Sequence, residues 1–305
     1  MTKVILYRLL QFPLILAVIY FLTFLLCWVA PGDPFSTERN MSETVRRSLQ
    51  ERFHAESPWK FLAYYPRQIL FHGDLGPSMQ QPEWSVNDIV GQSLPVSVTL
   101  GLFALVVGTV VGVGLGTLAA VRRGGVWDWL SLSLALIGIS LPSFVVAAVV
   151  LMGAAASHRL PVGGWGRPVD VVLPGLALAL APMAYIARLT RVAMLDVLGA
   201  DYVRTARAKG LGKSLVVWKH CLRNAFLPVL SYLGPAAAAT LTGSFVVEKV
   251  FNIPGLGQHF VNSVLNRDQT LILGVVLVYS LFLLSLNLLV DVAYAWVDPR
   301  IEVDG

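Results

Sequence analysis

Six apolar runs, each about as long as a bilayer's hydrocarbon layer is thick, constrain this chain more than any other feature. They cover roughly residues 9–29, 96–121, 129–156, 171–186, 227–247 and 271–290. About 20 apolar residues rising 1.5 Å each cross ~30 Å of hydrocarbon. In lipid every backbone N–H and C=O must be paired within its own segment, so each run is expected as a helix. Charged residues make up only 13% of the chain, hydrophobic residues 56%, and the mean hydropathy is +0.68. These values fit lipid as the solvent for most of the chain. The expected fold class is all-α: a polytopic membrane protein of six transmembrane helices in a single domain, residues 1–305. The first run is expected to stay as an anchor, because Trp28 and Val29 stand where a cleaved leader would carry small residues.

The segments between the runs set the organisation. Residues 31–94 turn polar, open with PGDPF and are expected to form an external cap with amphipathic helices near 42–54 and 60–71. In the second of these, Phe61, Tyr64, Tyr65 and Phe71 suit a helix resting on the membrane surface. Asn40 begins a glycosylation sequon of low specificity. Gly108, Gly112 and Gly116 leave one face of the second span bare for a close neighbour. Pro142 predicts a kink in the third span. Residues 248–270 form an external re-entrant segment in which Pro254, Gly255 and Gly257 force a tight turn. Glu248, at its start, reads either as part of an outer mouth or as a solvated acid at a helix end.

Residues 201–228 are basic and polar between two membrane-length runs. Asp201 is expected to cap a short helix from Tyr202 to Lys209, with Gly210 closing it in a left-handed conformation. A second helix is expected from Lys213 to Phe226, and Pro228 fits the first turn of the next span. Two readings stay open: an ordinary positive-inside loop, or a rigid docking knob. Thirteen Lys and Arg residues fall in the segments placed inside and four in the two short external loops. Both termini and the knob are therefore expected on the cytoplasmic side. The net charge of +5 reads as topology, with no nucleic-acid partner implied. Cys27 and Cys221 fall on opposite sides in this topology, so no disulfide is expected between them.

The order of residues in the knob resembles the EAA loop by which permeases of ABC-type importers insert a coupling helix into their ATPases. Arg204, Thr205 and Ala206 stand in the E-A-A positions, Gly210 is the motif glycine and Leu227-Pro228 its closing pair. Arg204 and Thr205 depart from the letters, and the spacing to Leu227 is longer than in the general motif. The wording RTARAKGL…LRNA…LPVL is similar to the peptide-permease branch. RLLQFPLILAVIYFLTF…APGDPF, GDLGPSM…SVNDIV, ISLPSFVVA, VFNIPGLGQ and VDVAYAWVDPRI extend the resemblance to B-type permeases of oligopeptide importers over nearly the whole chain. Dipeptide and nickel permeases of that branch fit slightly less well.

The resemblance implies a type I ABC importer permease fold in a bacterial inner membrane, with residues 192–226 as the cytoplasmic coupling loop. Arg204, Thr205, Ala206, Arg207, Gly210 and Leu211 would contact the ATPase, and Glu248, Pro254, Gly255 and Gly257 would shape the periplasmic mouth. Its implied partners are a homologous second permease, two cytoplasmic ATP-binding subunits, a periplasmic peptide-binding protein and the peptide itself. ATP and magnesium would be bound by the ATPases, leaving this chain without a cofactor or catalytic role.

Three function classes compete: a permease driven by separate ATPases, an ion-coupled carrier and an intramembrane protease. The six apolar cores contain no Asp, Glu, Lys, Arg or His, whereas proton relays need buried ionisable groups. Gly212-Lys213-Ser214 imitates the end of a phosphate-binding loop, but Arg207 occupies the first glycine position. Pro142 likewise replaces the second glycine of a nucleophile elbow, and the five histidines show no metal-ligand spacing.

Overall fold

The computed structural model describes residues 2–30, 53, 57–81, 83–157, 160 and 162–297. Asn40 and the helix expected near 42–54 lie largely outside them. Among the described residues, five helices are long and apolar enough to cross a membrane: Ile5–Val29, Val86–Val121, Pro168–Leu198, Leu227–Val250 and Gln269–Ala293. The pair Val126–Ser140 and Ser143–Ser157 is apolar enough to count as a sixth candidate, but it is sharply bent at its break, as a broken span or a re-entrant loop. We number the helices α1 (Thr2–Val29), α2 (Pro58–His72), α3 (Val86–Val121), α4 (Val126–Ser140), α5 (Ser143–Ser157) and α6 (Val172–Leu198). After them come α7 (Asp201–Ala208), α8 (Lys213–Leu215, Val216–Cys221 and Leu222–Ala225 in one run), α9 (Leu227–Val250), α10 (Leu256–Asn266) and α11 (Gln269–Val297). The chain folds as two compact units, one of residues 1–5, 98–253 and 285–305, the other of residues 6–97 and 254–284.

In the first unit α6 is the hub, packing against α4, α5 and α9. The glycine face of α3 lies against it too. A Cβ added at Gly108 would stand 3.2 Å from the Ala179 carbonyl oxygen, one at Gly112 2.7 Å from that of Met183, and one at Gly116 2.4 Å from that of Ala187. Only bare backbone fits at the last two positions. The register also has a direction, since both partners advance by four residues at each step. α3 and α6 therefore run parallel, and the chain between them must return across the bilayer. The bent pair α4–α5 lies in that stretch of chain.

The break is larger than the expected kink: the two helices meet at 109°. Pro142 has no N–H to continue the ladder, and its ring drives the preceding residue out of the helical region. Leu141 is accordingly extended, at φ −89° and ψ 126°.

The second unit is built on aromatic packing. Phe61 and Tyr65 of α2 are each 1% exposed and stack 5.4 Å apart, with Tyr20 and Phe24 of α1 beside them. Two of the four aromatics expected at the membrane surface are thus core residues, while Tyr64 and Phe71 are exposed. α2 is amphipathic, and Phe61 and Tyr65 on it belong to the protein's own core, while Trp59, Leu70 and Phe71 stay exposed.

Asp268, 1% exposed, caps α11. It accepts the N–H of Leu271 at 3.1 Å and of Met79 at 3.1 Å, together with the Ser78 hydroxyl. At the start of α10, the Leu256 N–H donates to the buried Ser97 hydroxyl oxygen at 2.8 Å. The turn before α10 differs from expectation: Asn252, at φ 50°, takes the left-handed position. Gly255 is the extended N-cap of α10, and Gly257 is buried in its first turn.

The α3–α6 contact yields a test. Gly116→Val should lower stability by at least about 1–3 kcal/mol, because backbone must move to admit the side chain. Gly114 meets nothing within 4 Å. The melting temperature in detergent should therefore drop for Gly116→Val and hold for Gly114→Ala.

Candidate functional site: the basic knob and the helix that carries it

α6 does not stop at residue 186. It continues through Arg188 and Arg191 to Leu198, so the coupling segment expected at 192–226 begins with seven residues of membrane helix. Only Gly199 and Ala200 separate α6 from α7. The N-cap of α7 is Ala200, and Asp201 sits in the first helical turn without capping it. There its charge favours the helix dipole, and its carboxylate lies 3.6 Å from the exposed Arg204 guanidinium.

The other end of α7 closes as expected. Gly210 has φ 78°, its N–H donates to the Arg207 carbonyl at 3.0 Å, and the Leu211 N–H donates to the Ala206 carbonyl at 3.3 Å. These are the two bonds of a Schellman motif. They fix where the chain leaves α7 and how α8 begins. α8 spans the expected extent, with a π-helical stretch over Val216–Cys221. Pro228 stands in the first turn of α9.

A small core makes the two helices one body. Val203 and Ala206 of α7 pack with Val216, Cys221 and Ala225 of α8 and with Met194 of α6. Leu211 is half-buried against the same cluster. Ala206 therefore points into the knob and Leu211 packs half-buried against the same core, whereas both were expected to face a partner. Arg204, Thr205, Arg207 and Gly210 are exposed, together with Tyr202, Lys209, Leu215 and Trp218. Val203 and Ala206, three apart, share the inward face of the helix. That spacing was the signal available in the sequence.

Cys221 is fully buried, and burial pushes its thiol pKa up, opposed by the nearby Arg207 charge. It is a structural thiol rather than a reporter of which side the knob faces. On the folded protein its alkylation should be slow at pH 8 from either membrane face, and denaturant should release it.

An ion pair absent from the sequence reading ties α6 to α4. The Asp128 carboxylate accepts two bonds from Arg191, 2.5 Å from Nε and 3.0 Å from Nη2, and a third from the Gly124 N–H at 2.9 Å. The side chains are 7% and 19% exposed. Arg191 thus carries two roles, a basic residue toward the end of α6 and a fork gripping the first turn of α4. Both residues of the pair stand outside the apolar cores at 129–156 and 171–186, on the helices that extend them. Glu248, one residue past the core at 227–247, lies inside α9 and is 0% exposed. It is not a solvated acid. Glu248 belongs to the first unit, while Pro254, Gly255 and Gly257 belong to the second.

These features define a class: a multi-pass helical membrane protein in which a bundle helix runs almost directly into an exposed basic knob. Comparison with known proteins gives the family. The binding-protein-dependent transport system inner membrane component family matches residues 112–303. The dipeptide transport system permease protein DppB of Bacillus subtilis is 45% identical over 94% of this chain and 93% of its own. The oligopeptide transport system permease protein OppB of Escherichia coli K12 is 41% identical over 99% of this chain and 100% of its own. A crystal structure of an amino acid ABC transporter with histidines shares the fold at a TM-score of 0.54 and 17% identity, covering 69% of this chain and 94% of that one. The chain belongs to the binding-protein-dependent transport system inner membrane component family, the permeases of ABC importers.

The Asp128–Arg191 pair is directly testable. Asp128→Ala strands a largely buried guanidinium and should cost on the order of 3 kcal/mol. Asp128→Ala with Arg191→Leu removes both charges and should recover part of that loss in melting temperature.

Proposed function

We propose that this chain is one permease half of an ATP-driven importer of peptides, in a bacterial inner membrane with both termini cytoplasmic. The observation that carries the substrate class is the match to permeases named for dipeptide and oligopeptide transport, which spans nearly the full length of all three chains. Both names fall within one class, short peptides. A homologous second permease completes the path, a periplasmic protein delivers the peptide, and two cytoplasmic ATPases bind ATP and magnesium. This chain moves the path and leaves hydrolysis to them.

The exposed face of the knob, Arg204, Thr205, Arg207 and Gly210, is the surface we assign to the ATPase. Ala206 and Leu211 support it from within. For ATP to do work, the closed ATPases must hold the outward-open permease better than the inward-open one. A knob joined to α6 through two residues can carry that difference into the bundle. Glu248, Pro254, Gly255 and Gly257 are assigned to the external side, where the binding protein releases peptide.

Two outcomes are expected. In a chain lacking Cys27 and Cys221, a cysteine at Lys209 should react with an impermeant maleimide only in inverted vesicles, and one at Ser157 only in right-side-out vesicles. Gly210→Val meets no steric obstacle but must hold a branched residue at positive φ, a strain of about 1–3 kcal/mol. In proteoliposomes the importer carrying it should assemble, while peptide uptake falls strongly and ATP hydrolysis ceases to respond to loaded binding protein. Unmodified uptake would remove the knob from the coupling path.

A further inference from the structure

We infer that a cleft at the α4–α5 break is a contact site for the peptide backbone within the membrane path, a reading that rests on the peptide-importer assignment above. The cleft has a volume of about 290 Å³ and lies in the first unit, between the helix break and the middle of α6 and α9. Ile139 and Ser143 flank the break, Pro182 and Tyr185 come from α6, and Tyr232 and Thr240 come from α9.

Thr240 points to a ligand. It is 3% exposed, yet its hydroxyl has no hydrogen-bond partner among the described residues. A buried hydroxyl left without a partner is costly, and helical threonines normally avoid this by bonding the carbonyl four residues back. Thr109, Thr205 and Thr242 do so here, at 2.7, 3.0 and 2.8 Å. Thr117 and Thr190 share the orphaned state, but Thr240 is the one of the three that lines this cleft. Its hydroxyl can donate to a carbonyl or accept from an N–H.

The second observation is the tyrosine pair. Tyr185 and Tyr232 stack with centroids 4.2 Å apart and 28° between planes, and both rings form part of the cleft wall. No charged side chain lines the cleft. A path for peptides of varied sequence must not trap a particular side-chain charge at low dielectric, where attraction between opposite charges is strong. The chemistry common to all such cargo is the amide backbone. An uncharged cleft with aromatic faces and a buried hydroxyl left without a partner can hold that group whatever side chains it carries. The helix break opens the space, since an unbroken helix would have continued past Ser140 instead of turning through 109°.

The test uses the whole importer, with both permeases and both ATPases, in proteoliposomes with loaded binding protein and a radiolabelled tripeptide. Thr240→Val keeps the shape and removes the hydroxyl. Import should slow roughly 3- to 10-fold, the value of one hydrogen bond, with stimulated ATP hydrolysis retained. Thr240→Ser should restore import. A photo-crosslinking residue at Ala239, exposed in the cleft wall, should capture the labelled peptide during turnover, whereas one at Val246 on the same helix should not. Import by Thr240→Val at the unmodified rate would overturn the inference, as would capture of the second permease in place of peptide at Ala239. Failure of the unsubstituted importer to move any peptide would overturn the functional assignment itself, before any variant is compared.

Discussion

The close approach of α3 to α6 is the constraint on which the first unit depends. Two helices with ordinary side chains pack 8–10 Å apart. Gly112 and Gly116 remove the side chains at the contact, so backbone meets backbone and dispersion acts over many atoms at short range. In lipid this matters more than in water, because no hydrophobic force drives one apolar helix against another. The same contact sets the register, and the parallel register requires the chain between α3 and α6, which carries α4 and α5, to come back to the end where α3 began. α6, held by α3, α4, α5 and α9, is then the element from which the knob projects.

The hub also explains where charge is tolerated. Asp128 and Arg191 satisfy each other at the membrane-length helices' ends, with a backbone N–H from Gly124 as a third partner. A paired, hydrogen-bonded carboxylate can persist where an isolated one could not. The pair joins the N-terminal turn of α4, on one side of the break, to the end of α6 that leads into α7. The helix that carries the knob is thus tied to α4 by one bidentate contact, in addition to apolar packing.

Much of this was legible in the sequence, for physical reasons that differ by feature. The membrane-length runs could be read because hydropathy is additive along a segment and needs no knowledge of partners. Gly210 could be read because positive φ is a local requirement. The α3 glycine face showed itself by spacing, although not by which helix it meets. Pro142 marked the break but not its size, because a proline yields either a kink or a break depending on the conformation its predecessor adopts. The Asp128–Arg191 pair was hidden, since its members stand 63 residues apart and each looked like a charge at a span's edge. Ala206 was read outward because a small residue suits a partner's groove as well as an internal core. Only its packing with Met194, Val216 and Cys221 separates the two. Thr240 could not be found at all, since an unmet hydroxyl is a property of what surrounds it.

The central claim is that α6 and the knob move as one body when the ATPases close. The direct measurement is the distance between spin labels at Arg188 on α6 and Lys209 on the knob, by pulsed electron resonance on the assembled importer. ATP-bound and nucleotide-free states should give the same distance distribution within about one side-chain rotamer's spread, while a label pair at Lys209 and its counterpart on the second permease should shift between states. A change in the Arg188–Lys209 distance comparable to the shift between the two permeases would mean that the knob pivots on Gly199 and Ala200, and rigid transmission through α6 would be contradicted.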